Sequence, residues 1–142
     1  MKYNTLKTII LSCLTYGLFF NYVQATNSSM DILLEKYKSL GAQTPDIKQG
    51  KALWNKSFKH NTAPVTRSCA SCHTKDLRSS GKHVKTNKTI KPMSPVVHPE
   101  RLTDTKKIEK WFKRNCKWTM SRECTVQEKS DFLVYINNTM NF

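Results

Sequence analysis

Cys69-Ala70-Ser71-Cys72-His73 is the stretch of sequence on which the predicted fold depends. It follows the pattern C-x-x-C-H, which is typical of c-type haem attachment. Two thiols three residues apart can reach the two vinyl groups of one porphyrin, and the next residue can place an imidazole nitrogen on the iron as proximal ligand. We therefore expect one covalently attached haem c (heme c) bound by Cys69 and Cys72, with His73 on its iron.

Two other kinds of site also use paired cysteines. A four-ligand zinc site needs a second Cys/His pair at short spacing, and the sequence has no convincing one. A thioredoxin-like thiol pair occurs within a βαβ pattern, which the sequence also lacks. These absences favour haem attachment.

The first 25 residues have the composition of a secretory signal peptide. Lys2 and Lys7 precede an apolar run over residues 8–20, and Val23-Gln24-Ala25 supplies small residues for cleavage. The run is short for a membrane span. We expect residues 1–25 to be removed on export to the periplasm, leaving residues 26–142 as one domain with no stable membrane span. An uncleaved membrane anchor is the alternative.

The cysteine count agrees with export. Of five cysteines, Cys13 lies in the leader and two belong to the motif, which leaves Cys116 and Cys124. In an oxidising compartment, two thiols eight positions apart are expected to form a disulfide, and two free thiols are the alternative.

The charge bears on partners rather than on the fold. The formal net charge is +14, and the leader carries two lysines and no acidic residue, so the remainder has 22 basic and 10 acidic residues and a charge of +12. Nucleic acid is a poor partner for an exported protein. An acidic redox protein or an anionic membrane surface suits the charge better, and a solvated lysine-rich surface without a docking role is the alternative.

Two helices are predicted before the motif. The first is capped by Asp31 and stops at Gly41. The second starts at Thr44-Pro45-Asp46, with Pro45 at the first helical position, and has a helical rhythm of apolar residues at Ile47, Leu53, Trp54 and Phe58.

Gly50 and Trp54 lie four residues apart and so share one face of the second helix. A glycine allows another helix to approach closely, while the Trp fills the crossing. We expect this face to cross the last helix near Phe132 and Tyr135. An ordinary buried face with an incidental glycine is the alternative.

Two further helices are predicted after the motif. The third is capped by Thr103 or Asp104, and the fourth opens at the capping box Thr125-Val126-Gln127-Glu128. Residues 61–103 are mostly loop, apart from a short helical turn at the motif, and no substantial strand is expected. The predicted fold is all-α: a small class I-like cytochrome c with about four helices around one covalently attached haem.

The sixth iron ligand decides between functions. Met is the usual choice in an electron carrier, and Met93 and Met120 are candidates, whereas Met140 is close to the end of the chain. His83 and His98 could instead give a bis-histidine iron. We expect Trp111, Phe112, Trp118 and Tyr135 to line the pocket or to pack in the core.

Beyond the motif, the sequence resembles the sphaeroides haem protein family, which includes the cytochrome c double-prime type. The resemblance runs from about residue 30 to the end of the chain. Its segments, in order, are Gly50-Lys51-Ala52-Leu53, Ser68-Cys69-Ala70-Ser71-Cys72-His73, Lys91-Pro92-Met93-Ser94-Pro95, Arg101-Leu102-Thr103-Asp104, Ile108-Glu109-Lys110-Trp111-Phe112-Lys113-Arg114-Asn115-Cys116 and Arg122-Glu123-Cys124-Thr125-Val126-Gln127-Glu128-Lys129.

The resemblance implies a sixth ligand immediately before the first cysteine of the paired-cysteine loop, which is Asn115 here. It also implies a disulfide between Cys116 and Cys124. In such proteins the sixth ligand leaves the iron on reduction, and the open ferrous site binds O2, NO or CO. The electron donors implied are a diheme c-type cytochrome and a membrane b-type cytochrome.

Two features depart from the pattern of the family. Met93 and Met120 are both present, and the loop Lys117-Trp118-Thr119-Met120-Ser121 is bulky. An asparagine oxygen is a fairly hard ligand that suits ferric iron better than ferrous iron. A ligand that favours ferric iron lowers the reduction potential.

Three functions are therefore considered: a redox-gated haem protein that transfers electrons and binds diatomic ligands, a plain His/Met electron carrier, and a binding module without electron flow. The sequence has no paired carboxylates, activated nucleophile or phosphate loop. Any catalysis would be chemistry at the iron, and whether the protein is an enzyme stays open.

Overall fold

The structure is a computed structural model that describes residues 28–61 and 64–138. The predicted leader, with Cys13, and Met140 lie outside the described residues. The elements are α1 (Ser29–Ser39), α2 (Ile47–Asn55), β1 (Phe58–Lys59), β2 (Thr66–Arg67), α3 (Ala70–His73), β3 (Gly81–Lys82), β4 (Thr89–Ile90), α4 (Thr105–Met120) and α5 (Val126–Asn137).

The prediction of a mostly helical fold is confirmed. Four longer helices account for most of the regular structure, and α3 is the short turn of helix at the C-x-x-C-H motif. The strands form two minimal antiparallel pairs, with Phe58 opposite Arg67 in β1–β2 and Gly81 opposite Ile90 in β3–β4. No helix in the described part of the chain is long and apolar enough to cross a membrane.

The first helix begins earlier than the sequence predicted. Ser28, not Asp31, is its cap: the Ser28 hydroxyl accepts from the backbone N–H of Asp31 at 3.2 Å, and the Asp31 carboxylate accepts from the backbone N–H of Ser28 at 3.1 Å. Asp31 is thus the third residue of the helix and the acidic partner of a capping box.

The second helix has the predicted segment but a different cap. Asp46 accepts from the backbone N–H groups of Lys48 at 2.7 Å and Gln49 at 3.2 Å. Pro45 therefore precedes the cap and is not the first helical residue. The helix ends at Asn55, so Phe58 belongs to β1 and not to the helical rhythm.

Both helices after the motif begin as the sequence indicates. Asp104 caps α4 by accepting from the backbone N–H of Lys107 at 3.0 Å, which resolves the choice between Thr103 and Asp104. The capping box predicted for α5 is confirmed, with the Thr125 hydroxyl accepting from Glu128 N–H at 3.1 Å and the Glu128 carboxylate from Thr125 N–H at 2.9 Å.

The crossing of α2 and α5 organises the core. A Cβ added at Gly50 would collide with the backbone oxygen of Asp131 and lie 2.7 Å from Cβ of Tyr135. Trp54 packs edge-on against Phe132 and Tyr135, with ring centroids 6.2 and 6.0 Å apart. The predicted crossing near Phe132 and Tyr135 is confirmed, and the absence of a side chain at Gly50 is what permits it.

Asp131 ties the start of α2 to the same helix. Its buried carboxylate accepts from the backbone N–H of Asp46 at 2.8 Å and from the side-chain amide of Gln127 at 2.8 Å. A buried carboxylate is tolerated because these donors replace its lost water.

The long irregular segment is held by its backbone. The carbonyl of Leu77 accepts from the backbone N–H groups of both Met93 and Ser94, each at 2.9 Å, and Ser94 is fully buried. A Cβ added at Gly81 would collide with the carbonyl of Cys72, so β3 lies directly on the motif. These contacts fix the backbone of the irregular segment, so that it can form one wall of a pocket.

We predict that Gly50→Ala destabilises the protein by about 1–3 kcal/mol, because the added methyl group overpacks the α2–α5 crossing. Urea unfolding of the purified protein measures this change. The matched control is Gln49→Ala, an exposed position of the same helix, where a change within about 0.5 kcal/mol is expected. Equal stability of Gly50→Ala and wild type would contradict the close approach of the two helices.

Candidate functional site

A cavity of about 530 Å³ lies between the motif, α4, α5 and the loop that precedes α4. Its volume falls in the range of cofactor pockets, about 300–1,000 Å³. Both motif cysteines, His73, Asn115, Met93 and Met120 line it. The structure therefore brings the motif residues and most of the candidate sixth ligands to one cavity, with His98 as the exception.

The motif forms a single helical turn that presents both thiols. The backbone N–H of His73 donates to the carbonyl of Cys69 at 3.0 Å. Ser68 and Ser71 cap each other across the turn, with each backbone N–H donating to the other hydroxyl at 3.0 and 3.1 Å. Cys69 is half-buried, Cys72 is buried, and neither forms a disulfide.

The surroundings of these cysteines do not resemble a metal-thiolate site. Burial raises the pKa of the Cys69 thiol to about 12, whereas metal ligation requires the thiolate. Among the described residues, no group of three or more His, Cys, Asp or Glu side chains could hold a metal ion. The zinc alternative thus gains no support from the fold.

His73 is held as a neutral imidazole. Burial, and after it the positive charge of Arg101, lowers the pKa of His73 to about 4. The indole N–H of Trp54 donates to the carbonyl of the next residue, Thr74, at 2.8 Å, and the two rings lie 5.5 Å apart. The neutral form is the one that ligates iron.

One nitrogen of this ring is left without a protein partner. Nδ1 of His73 is buried and accepts or donates no hydrogen bond within the described residues. An unsatisfied buried polar atom costs about 1–3 kcal/mol. The polypeptide alone therefore does not complete the environment of His73, which fits a pocket built around a further group.

Helix α4 supplies the opposite part of the wall. Asn115 lines the cavity and is exposed to it, and its amide has no hydrogen-bond partner among the residues that the structure describes. The next residue, Cys116, forms a disulfide with Cys124, with Cα atoms 5.5 Å apart. The disulfide joins the end of α4 to the start of α5, directly beside Asn115.

The other candidate ligands differ in their burial and in whether their side chains line the cavity. Met93 is half-buried in the cavity wall. Met120 is buried, and its sulfur lies 3.8 Å from Sγ of Cys124, so it packs against the disulfide. His83 lines the cavity, whereas His98 is not among its lining residues.

The aromatic residues of the sequence prediction divide between the wall and the core. Trp111, Phe112 and Trp118 line the cavity, whereas Tyr135 packs against Trp54 in the core. Trp118 is held from behind by the guanidinium of Arg67, which stacks on its ring at 4.0 Å and donates to its carbonyl at 3.0 Å.

Sequence reasoning missed Arg101 as a site residue. It is half-buried in the cavity wall, and its guanidinium donates to the carbonyls of Pro92 at 2.8 Å and Lys91 at 2.7 Å. The only signal in the sequence was its place in the segment Arg101-Leu102-Thr103-Asp104. One arginine in a chain with 24 basic residues does not stand out.

Known proteins match most of the chain. A family model described as "Domain of unknown function (DUF1924)" matches residues 40–136. The cytochrome c-type protein SHP of Cereibacter sphaeroides is 35% identical over 112 residues, which cover 79% of this chain and 85% of that protein. Cytochrome c'' of Methylophilus methylotrophus is 31% identical over 138 residues, covering 92% of this chain and 93% of that protein.

Solved structures agree with these matches. Oxidised SHP, described as an oxygen-binding cytochrome c, superposes with a TM-score of 0.69 at 32% identity, covering 78% of this chain and 97% of that chain. Oxidised cytochrome c'' of Methylophilus methylotrophus gives a TM-score of 0.69 at 31% identity, covering 78% of this chain and 94% of that chain.

We predict that Cys116→Ser/Cys124→Ser lowers the free energy of unfolding by about 2.5 kcal/mol, because the unfolded chain regains the entropy of an eight-residue loop. Urea unfolding with and without a thiol reductant measures the effect. The reductant should destabilise wild type and leave the double variant unchanged. A double variant as stable as wild type would contradict a stabilising role for the disulfide.

Proposed function

Since this chain belongs to the family of cytochrome c'' and the sphaeroides haem protein, and is therefore a haem-containing cytochrome, we propose that it is an exported monohaem c-type cytochrome with a redox-labile sixth ligand. It transfers electrons and binds small diatomic molecules at the reduced iron. The observation that carries this proposal is that both motif thiols, His73 and Asn115 line one cavity.

In this proposal Cys69 and Cys72 hold the haem covalently, and His73 is the proximal ligand. The support is their common turn of helix at the cavity, the neutral state of the imidazole and the absence of a protein partner for its Nδ1. When bound, the haem supplies the iron that carries the electron and takes up an external ligand. The protein orients that iron through His73 and Trp54, which fixes the adjoining backbone.

Asn115 is the proposed sixth ligand. Its amide is exposed to the cavity and has no partner in the described part of the chain. An amide oxygen binds ferric iron better than the softer ferrous iron, so reduction weakens the bond. Coupling is reciprocal, and a bond that favours ferric iron lowers the reduction potential.

Diatomic ligands are the proposed external ligands of the reduced iron. SHP, to which the chain is 35% identical, has been solved as an oxygen-binding cytochrome c. We extend that property to this chain as binding of O2, NO or CO in the position that Asn115 vacates. The aromatic residues Trp111, Phe112 and Trp118 line the same cavity as Asn115 and give its wall an apolar character that suits a small uncharged ligand.

A plain His/Met electron carrier is the second candidate. The observation that favours it is Met93, which lines the same cavity. Met120 supports it less, since its sulfur packs at 3.8 Å from the disulfide. A thioether would hold ferrous iron firmly and leave no position for a diatomic ligand.

The proposed partners are acidic redox proteins, such as a diheme c-type cytochrome and a membrane b-type cytochrome. Cations outnumber carboxylates among the cavity-lining residues, with Lys88, Arg101, Lys107 and Arg114 against Glu100 and Asp104. Trp111 is 48% exposed at this rim and stacks with Arg114 at 5.0 Å. A basic rim with an exposed aromatic ring suits transient docking of an acidic partner.

Absorption and resonance Raman spectra of both oxidation states test the proposed ligand. We expect the ferric wild type to be six-coordinate and the ferrous form to be five-coordinate and to bind CO. Asn115→Ala should lose the ferric sixth ligand, raise the reduction potential and keep CO binding. Asn137→Ala, an exposed position in α5, is the matched control and should behave as wild type.

Two outcomes would contradict this assignment. One is a low-spin ferrous spectrum that CO does not change. The other is a far-red ferric band of Met-to-iron ligation that persists in Asn115→Ala and disappears in Met93→Leu, which would establish the His/Met carrier.

Charge reversal at the rim tests the docking surface. Lys107→Glu/Arg114→Glu should slow oxidation of the ferrous protein by ferricyanide about tenfold at low salt and speed reduction of the ferric protein by hexaammineruthenium(II), because electrostatic steering follows the sign of the reagent. Lys48→Glu/Lys38→Glu makes the same charge change on exposed positions that do not line the cavity. If the two double variants changed the rates equally, the effect would come from net charge alone, and the proposed docking surface at the cavity rim would be rejected.

A further inference from the structure

Arg101 is a half-buried cation of the cavity wall that lacks a carboxylate partner. Within the described residues, no Asp or Glu oxygen lies within 4.0 Å of its guanidinium. Its neighbours in sequence, Glu100 and Asp104, also line the cavity but do not pair with it. Burial lowers its pKa, which is the expected response of an uncompensated cation.

The guanidinium is fixed on one edge only. Nε donates to the carbonyl of Pro92 at 2.8 Å and Nη2 to the carbonyl of Lys91 at 2.7 Å. The backbone N–H of Arg101 donates to the carbonyl of His98 at 2.9 Å, and this turn fixes the position of the Arg101 backbone. Because a guanidinium has five N–H donors in a rigid fork, the remaining donors stay available while the side chain cannot swing away.

The loop that holds this edge is itself anchored. Lys91 and Pro92 precede Met93, whose backbone N–H donates to the carbonyl of Leu77 at 2.9 Å. Arg101 is therefore tied, through two carbonyls and one further hydrogen bond, to the segment that follows the motif.

Haem carries carboxylate side chains, and a planar carboxylate matches the free edge of a guanidinium in a bidentate pair. We propose that Arg101 binds a haem carboxylate with this free edge and raises the reduction potential of the iron. This inference rests on the proposed function only in requiring a haem in the cavity.

Arg101 and Asn115, which both line the cavity, then act on the reduction potential in opposite directions. A cation near the iron favours the ferrous form, which carries one positive charge less, whereas Asn115 favours the ferric form. Removing Arg101 also leaves the haem carboxylate uncompensated, and a negative charge beside the iron shifts the equilibrium further toward ferric.

The test uses the purified haem-loaded protein and three variants. Arg101→Gln removes the charge and should shift the ferric/ferrous equilibrium about tenfold toward ferric, the order expected for one charge at this range in a partly screened site. Arg101→Lys keeps the charge and should shift it less than threefold. Both variants lose the ties to Lys91 and Pro92, so a structural role would affect them equally.

Resonance Raman spectroscopy gives a second readout. The bending mode of the haem carboxylate side chain should move in both Arg101→Gln and Arg101→Lys, since lysine is a point charge and not a bidentate fork. The Lys variant therefore tests the contact even where the Gln variant does not retain haem. Arg78→Gln is the matched control, because Arg78 is an exposed arginine that does not line the cavity, and it should leave the mode unchanged.

Three results would overturn the inference: a carboxylate mode that is unchanged in both Arg101 variants, equal potentials in the Gln and Lys variants, or an equal shift in Arg78→Gln. The coordination of the wild-type iron enters none of these comparisons. A failure here is thus separate from a failure of the ligand assignment to Asn115.

Discussion

The contact between α2 and α5 at Gly50 is the constraint on which the site depends. Because no side chain separates Gly50 from the backbone of Asp131, Trp54 is drawn in among Phe132 and Tyr135. The indole N–H of Trp54 then donates to the carbonyl of Thr74, the residue after the motif histidine. A backbone contact between two helices far apart in sequence thereby fixes the side of the cavity on which His73 lies.

Much of this arrangement could be predicted because its signals are local. The motif, the capping box at Thr125 and the four-residue spacing of Gly50 and Trp54 each depend on neighbouring residues. The two wrong helix starts also have local causes. The sequence predicts Asp31 as a cap because both members of the capping box, Ser28 and Asp31, are good caps. It predicts Pro45 inside α2 because both Asp46 and Thr44 can cap a helix.

The cavity wall could not be predicted in the same way. Arg101 acquires its place from carbonyls at Pro92 and Lys91 and from the turn at His98, none of which has a sequence pattern. The candidate ligands are likewise distinguished only by where the fold places their side chains. Met120 and Met93 look equivalent in the sequence and both line the cavity, yet Met120 is buried with its sulfur against the disulfide, whereas Met93 is half-buried. Long-range packing, not residue type, makes the distinction.

The disulfide beside Asn115 has a kinetic consequence. Cys116 is joined to Cys124, which lies just before α5, so the Asn115 amide, if it is the ligand proposed above, would remain close to the iron after release. A tethered group has a high effective concentration at its former binding point. For the proposed ligand, rebinding to the iron would be a first-order process. A diatomic ligand would then have to compete with the Asn115 amide, whose local concentration does not depend on the concentration of protein. The distance over which the disulfide lets this amide move would then set the gas concentration above which the gas, and not the amide, occupies the iron.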